Sequence, residues 1–374
     1  MIVEVAAPPS ASMGRIDPRT PTPVAEEELI PGILFVRVFL HSLPSLAETV
    51  ECWSLVSDGL LAVGQAEIVF TVKRESAEAD LAYPRQLLQV YSMFHLLALR
   101  GRSVGVGGFT SIGAESGLLG RPDFRGIVYS TPQFLDGIYV AGPFLMAIIL
   151  TGDEFQVAQD YGAVRATTIL GRQYRFFPCA PWADRQRRSL ASLKDMESSI
   201  LGKVGTLRVP GPVVYLEGST VSLEHLPMTH GLSNQTVHFT DQCVVLEVPT
   251  SARQRVEELL KGVPENIEIS VLSNPDPLAD AILYWSPGSN QPHSISAEGS
   301  RRQRIGGNFV LFVPDQSEDA VTVHEDGFVV KATAQTWKGV RASLAGGTSL
   351  RIPAKADGLR FEIRWHDTAD SSEN

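Results

Sequence analysis

The feature that most constrains this chain is the shape of its apolar runs. They are short, rich in β-branched and aromatic residues, and closed at their ends by glycine, proline or charge. Residues 33–40 (ILFVRVFL), 67–73 (EIVFTVK), 144–150 (FLMAIIL), 242–248 (QCVVLEV) and 308–313 (NFVLFV) each read as a strand of six to eight residues. The most apolar stretch, 138–150, is thirteen residues long and is broken by Gly142 and Pro143. A spanning helix needs about 20 apolar residues, so stable membrane insertion is not expected and 144–150 is a buried strand. Further strands are expected at 126–130, 174–177, 267–272, 281–285, 320–331 and 359–366, the last closing a sheet.

Helical signals are fewer. Pro84 suits a first helical turn, and Leu87, Leu88, Tyr91, Phe94, Leu97 and Leu99 follow to about Arg100, with Gly101 as the stop. Asp153 with Gln156, and Ser251 with Gln254, read as capping boxes, the second opening a helix to about Lys261. Residues 183–200 read as a polar amphipathic helix, and 335–344 as a helix stopped by Gly346 and Gly347. Residues 101–120 read as glycine-rich loop.

A chain of 374 residues exceeds one average core, so two domains or joined subdomains are expected. The proline-rich residues 1–28 read as a disordered tail and 368–374 as a polar one. A change of texture near 205–212 places the boundary, giving subdomains 29–206 and 207–367. The expected class is α+β, each subdomain a mixed or mainly antiparallel sheet with packed helices.

The formal net charge of -10 disfavours nucleic acid and anionic membrane surfaces as partners. Cys52, Cys179 and Cys243 lie far apart, which suits neither a disulfide framework nor a zinc knuckle. With no basic-then-apolar leader at the N-terminus, a cytoplasmic setting is expected. Among the histidines, His225, His230 and His238 lie close in sequence, but no carboxylate or cysteine stands at ligand spacing, so no metal is expected. The glycines of 101–113 follow a helix instead of a strand, and no Gly-Lys-Ser/Thr follows them, so they are not a phosphate cradle. Gly101, Ser103 and Gly105 have Gly-x-Ser-x-Gly spacing, but they follow a helix instead of a strand, so no nucleophile elbow is expected. No catalytic residue and no cofactor is expected. Two basic groups remain: Arg172, Arg175, Arg185, Arg187 and Arg188, with the last three read as the solvated face of a helix, and Arg301, Arg302 and Arg304, read as a partner-docking loop.

Residues 51–74 carry Trp53, Ser57, Asp58, Gly59, Leu60, Gly64, Gln65, Glu67, Ile68 and Val69 in an order that resembles the C-terminal domain of SARA and endofin. The last third resembles the same family through IGGNFVLF (305–312), VHEDGFVVKAT (323–333), a helix with Trp337, Gly339 and Leu344, and FEIRW (361–365). Residues 66–89, a strand, an acidic linker and a proline-started helix, resemble the suppressor-of-fused domain. The resemblance implies a suppressor-of-fused-like first half and a non-catalytic, scaffold-type docking role toward a protein partner. It does not bring a FYVE finger, since three scattered cysteines cannot build one. Read from their chemistry, the shared motif residues are mostly structural: Trp53 is core, Gly59 and Gly64 permit tight turns, Asp58 caps a turn, and Gln65 and Glu67 either order the same loop or face a partner. An immunity-type inhibitor of a basic toxin, and an unrecognised enzyme, are the alternative readings.

Overall fold

The computed structural model describes residues 22–44, 49–113, 117–131, 138, 140–209, 211–218, 221–226, 232–239, 242–289, 292–297, 303–353 and 358–367. The first half holds strands β1 (Ala25–Ile30), β2 (Leu34–Pro44), β3 (Thr49–Asp58), β4 (Glu67–Lys73), β5 (Phe109–Ser111), β6 (Phe124–Ser130), β7 (Phe144–Thr151) and β8 (Trp182–Ala183). Its helices are α1 (Leu88–Leu99), α2 (Gly152–Tyr161), α3 (Ala163–Tyr174) and the single turn α4 (Leu193–Met196). The strands form one sheet in the order β1-β2-β3-β4-β7-β6-β5, with β8 beside β4. The β4–β7 and β4–β8 pairs are parallel and the rest antiparallel.

β4 shows why its run is apolar throughout. Ile68, Phe70 and Val72 point into a core with Tyr91 and Phe94 of α1. Val69 points the other way, into a core with Phe155, Ala166 and Leu170 of α2 and α3. A strand covered on both faces loses the polar alternation of a half-exposed one.

The second half holds β9 (Gly205–Leu207), β10 (Val213–Glu217), β11 (Val221–Leu226), β12 (Leu232–Phe239), β13 (Cys243–Pro249), β14 (Ile269–Leu272), β15 (Ala281–Tyr284), β16 (His293–Ala297), β17 (Arg304–Gly307), β18 (Phe309–Val313), β19 (Ala320–His324), β20 (Gly327–Lys331), β21 (Leu350–Ile352) and β22 (Arg360–His366), with α5 (Arg253–Lys261) and α6 (Ala334–Gly346). These strands form two sheets where one was expected. One has the order β11-β12-β16-β15-β17-β10-β13-β22-β21, and the other β19-β20-β18-β14-β9. Leu246 and Phe361 of the larger sheet, Phe312 and Val330 of the smaller, Val256 of α5 and Trp337 of α6 share one core. The α+β class holds for both halves.

Several local expectations change. β1 begins at Ala25, inside the expected tail. β9 begins at Gly205 and pairs with β14, so the expected boundary at 206/207 cuts a strand of the second half. The loop 101–120 contains β5. The box that caps α2 is Thr151 with Glu154 instead of Asp153 with Gln156. α5 is entered through a 3-10 turn, Thr250–Ala252, without a side-chain cap. Residues 174–177 form no strand: α3 runs to Tyr174, Arg175 turns left-handed at φ 51°, and the Phe176 N–H bonds back to Gly171 O. Residues 183–200 form no long helix. The sequence is rich in helix formers, but propensity is a weak force beside the buried pairing of Arg187 described below. β22 lies between β13 and β21, so it is an interior strand and not the sheet's closing edge.

Candidate functional site

The motif at residues 53–67 folds around one carboxylate. Glu67 opens β4 and is 1% exposed. Its Oε1 accepts from the Gly59 N–H at 2.9 Å and the Leu61 N–H at 3.1 Å, and its Oε2 from the Ser57 hydroxyl at 2.5 Å. The Ser57 Oγ in turn accepts from the Ile68 N–H at 2.8 Å. Glu67 therefore caps the turn, the role expected of Asp58. Asp58 instead pairs with Arg37 at 2.7 Å. Gly59 sits at φ 122°, and a Cβ there would lie 2.0 Å from Ile33 O. Trp53 is fully buried, its Nε1 donating to Glu78 at 3.1 Å. Gln65 reaches across to the glycine-rich loop: its Oε1 accepts from the Val104 N–H at 2.7 Å and its Nε2 donates to Val104 O at 3.2 Å. Ser57, Gln65 and Glu67 thus bond within the chain, and through Gln65 the motif is tied to a loop 39 residues away.

That loop forms one wall of an open cleft of about 700 Å³ between the halves. From the first half come Val104, Val106, Phe109 and the α2–α3 joint at Gly162 and Ala163; from the second come Val209, Leu272 and Asn274. Asn274 Nδ2 donates to Val106 O at 3.2 Å, and a Cβ on Gly107 would lie 2.0 Å from Asn274 Oδ1, so this approach needs glycine. The floor is apolar. Arg208 and Arg255 stand on the exposed rim, Arg208 paired with Asp160 at 3.0 Å. Among the described residues, β5 and β9 each end a sheet, and Phe109 in β5 and Arg208 just beyond β9 line the cleft.

Behind the cleft the halves are joined by a buried ion cluster. Arg165 of α3 is 1% exposed. Its Nε and Nη2 hold Asp326 at 2.8 and 2.6 Å, and its Nη2 also meets Glu325 at 3.1 Å. The guanidinium lies over Trp285, 4.9 Å from the ring centroid. Glu325 Oε1 accepts from the Ile200 N–H at 2.8 Å. Asn308 ties the joint itself, accepting from the Arg165 N–H at 3.1 Å and donating to Tyr161 O at 2.7 Å. Burial opposes the charge on Arg165, but Asp326 and Glu325 outweigh it and hold its pKa above the ordinary value. Burial pushes the Glu325 carboxyl up, against the Ile200 N–H and Arg165. Glu325 and Asp326 lie in the VHEDGFVVKAT stretch and Asn308 in IGGNFVLF, but nothing in the sequence marked Arg165 as their partner, because it lies 161 residues from Asp326.

The expected basic groups are largely consumed within the chain. Arg304 donates to Asp276 at 2.6 Å, meets Glu247 at 3.4 Å and lies over Tyr215 at 3.4 Å from the ring centroid. Arg301 and Arg302 lie outside the described residues. Arg187 is not on a solvated helical face: it is buried and holds Glu154 with two bonds, at 2.5 and 2.7 Å. Arg185 meets Glu78 at 2.6 Å, and Arg172 lies over Tyr284 at 4.2 Å. Arg188 is exposed. His225 lies in β11 and His238 in β12, opposite Gln235 and Ser222, and His230 lies outside the described residues. Among the described residues no group of three or more His, Cys, Asp or Glu could hold a metal ion. Burial raises the thiols of Cys52 and Cys179 to about 12 and that of Cys243 to about 11, so all three stay protonated. No helix among the described residues is long and apolar enough to cross a membrane.

No family model matches the chain. It is 23% identical over 334 residues to the mouse zinc finger FYVE domain-containing protein 16, covering 85% of this chain and 20% of that protein. It is 24% identical over 336 residues to the human zinc finger FYVE domain-containing protein 9, covering 85% of this chain and 22% of that protein. The chain thus spans about a fifth of the length of these curated relatives. Among solved structures, a chain of the Sufu-Fu complex aligns with 47% of this chain and 87% of its own length, at 14% identity and a TM-score of 0.33. The resemblance read from residues 53–69 and from the last third is therefore borne out: the chain is similar, over most of its length, to one segment of the SARA and endofin proteins.

Proposed function

We propose that this chain is a non-catalytic protein-binding module, and that its partner docks in the cleft between the halves through an extended segment. The observation that carries this is the cleft itself: an apolar floor contributed by both halves, about 700 Å³ in volume, flanked by β5 and β9 as sheet ends. A sheet end presents unpaired backbone N–H and C=O groups, which an extended peptide satisfies while its side chains enter the pocket. Among the described residues, the cleft lining holds no histidine, cysteine, aspartate or glutamate. A hydrolytic or acid–base site needs such groups at the reacting atom, so the lining favours binding over chemistry. The rim arginines suit a segment with acidic residues beside its apolar anchors.

The test is a pull-down with the intact chain at low and moderate salt, followed by the same capture with Val209→Glu or Phe109→Arg. Docking in the cleft predicts loss of the captured protein with both variants and its retention with Leu81→Ser, an exposed residue that does not line the cleft. Equal capture by all three variants would remove the cleft from the proposal. Failure of the wild-type chain to retain any partner would remove the proposal itself.

A further inference from the structure

Deeper in the same seam, the charge count of the ion cluster is uneven. One guanidinium faces two carboxylates, and Arg165, Glu325 and Asp326 have side chains only 1–3% exposed. Asp326 takes the two-bond face of Arg165, while Glu325 takes one longer bond and the Ile200 N–H. The remaining nitrogen, Nη1, is buried without an acceptor. With both acids ionised the cluster carries a net negative charge away from water; with Glu325 protonated it is neutral. A buried net charge is far costlier than a balanced pair.

The groups facing Glu325 come from each element packed there. α3 supplies Arg165, and the β19–β20 turn supplies Asp326. β19 supplies His324, whose Nε2 lies 4.0 Å from Glu325 Oε1. The 3-10 turn at Ile200–Gly202 supplies the Ile200 N–H, and Lys203 follows it. Burial and Lys203 hold the His324 pKa below its ordinary value, so it does not supply a second cation near neutrality. Burial meanwhile raises the Glu325 carboxyl.

This cluster is mechanically tied to the cleft. Gly162 and Ala163 line the cleft, Arg165 follows them within the same helical turn, and Asn308 of the second half bonds to both Tyr161 O and the Arg165 N–H. We propose that Arg165, Glu325 and Asp326 form a proton-sensitive latch on the cleft: Glu325 protonated holds the halves close at the α2–α3 joint, and Glu325 ionised lets them part. The inference rests on the reading of the cleft as the docking site.

The experiment is a distance measurement across the cleft without any partner. Ser103→Cys and Arg255→Cys place exposed thiols on opposite walls, and the three native thiols are buried and protonated, so spin labels attach at the introduced sites. Pulsed EPR at about pH 5 and about pH 8, on either side of the region where a raised carboxyl titrates, reads the width. The latch predicts a longer and broader distribution at the higher pH. In the Glu325→Gln background, the high-pH distribution should collapse onto the low-pH one. An unchanged distance in the wild-type background, or the same shift surviving in Glu325→Gln, overturns the latch. Hydrogen exchange on the unlabelled chain gives an independent reading. After correction for intrinsic rates, the Ile200 and Arg165 amides should lose protection relative to Val245 as pH rises, and constant relative protection also overturns it. Either failure leaves partner docking to be decided by the cleft variants.

Discussion

Two buried arginines in this molecule solve different problems. Arg187 pairs with Glu154 inside the first half, one charge against one. Glu154 also caps α2 by accepting from the Thr151 N–H at 2.9 Å and accepts from the Leu190 N–H at 2.9 Å. Arg165 pairs across the two halves with two acids and keeps one nitrogen unmatched. The first arrangement is balanced and fixes the path of an irregular segment. The second is unbalanced and sits where the halves meet. A buried charge that only holds a local fold is matched in place, while one at a seam can be left tunable.

The comparison can be broken by removing each cation. Arg165→Met leaves two buried carboxylates facing each other and should cost about 5 kcal/mol, the top of the range for breaking a buried pair. Urea unfolding should lose cooperativity between the halves, and a single transition at wild-type midpoint would contradict the role given to the seam. Arg187→Met strands one carboxylate that still keeps two backbone donors, so about 3 kcal/mol is expected, in a single cooperative transition. A larger loss for Arg187 than for Arg165 would reverse the contrast.

Smaller effects sharpen it. Gly59→Ala forces a Cβ against Ile33 O at a left-handed φ and should cost about 1–3 kcal/mol by thermal unfolding, with no effect on the distance across the cleft. The smallest is a pH dependence. Because the folded pKa of Glu325 is raised, its contribution is fully present below the unfolded carboxyl pKa and is lost as pH rises through the folded value. Wild-type stability should therefore fall, relative to Glu325→Gln, as the pH is raised from about 4 toward neutrality. Parallel curves for the two proteins would show that Glu325 does not titrate abnormally.

Much of the local architecture could be read from residues close in sequence. β4 was recognisable from the run EIVFTVK, β18 from FVLFV and the stop of α6 from Gly346 and Gly347, because burial period and left-handed caps act over a few residues. The importance of Gly59 and Glu67 was visible in the same way. Their roles were only partly assigned, since which of two nearby acids caps the turn depends on where β4 lies. Arg187 shows the opposite case: its neighbours read as a polar helix, and only the position of Glu154 on α2 draws it inward. The cleft walls lie 45 residues apart even at their nearest, from Ala163 to Arg208, and the partners of Arg165 lie farther still. By itself the sequence determined where most of the long strands form and the α+β class. Which strands pair, where the halves meet and what the seam encloses were decided only in the tertiary structure, because Coulomb and packing energies depend on distance in space, which local sequence patterns do not encode.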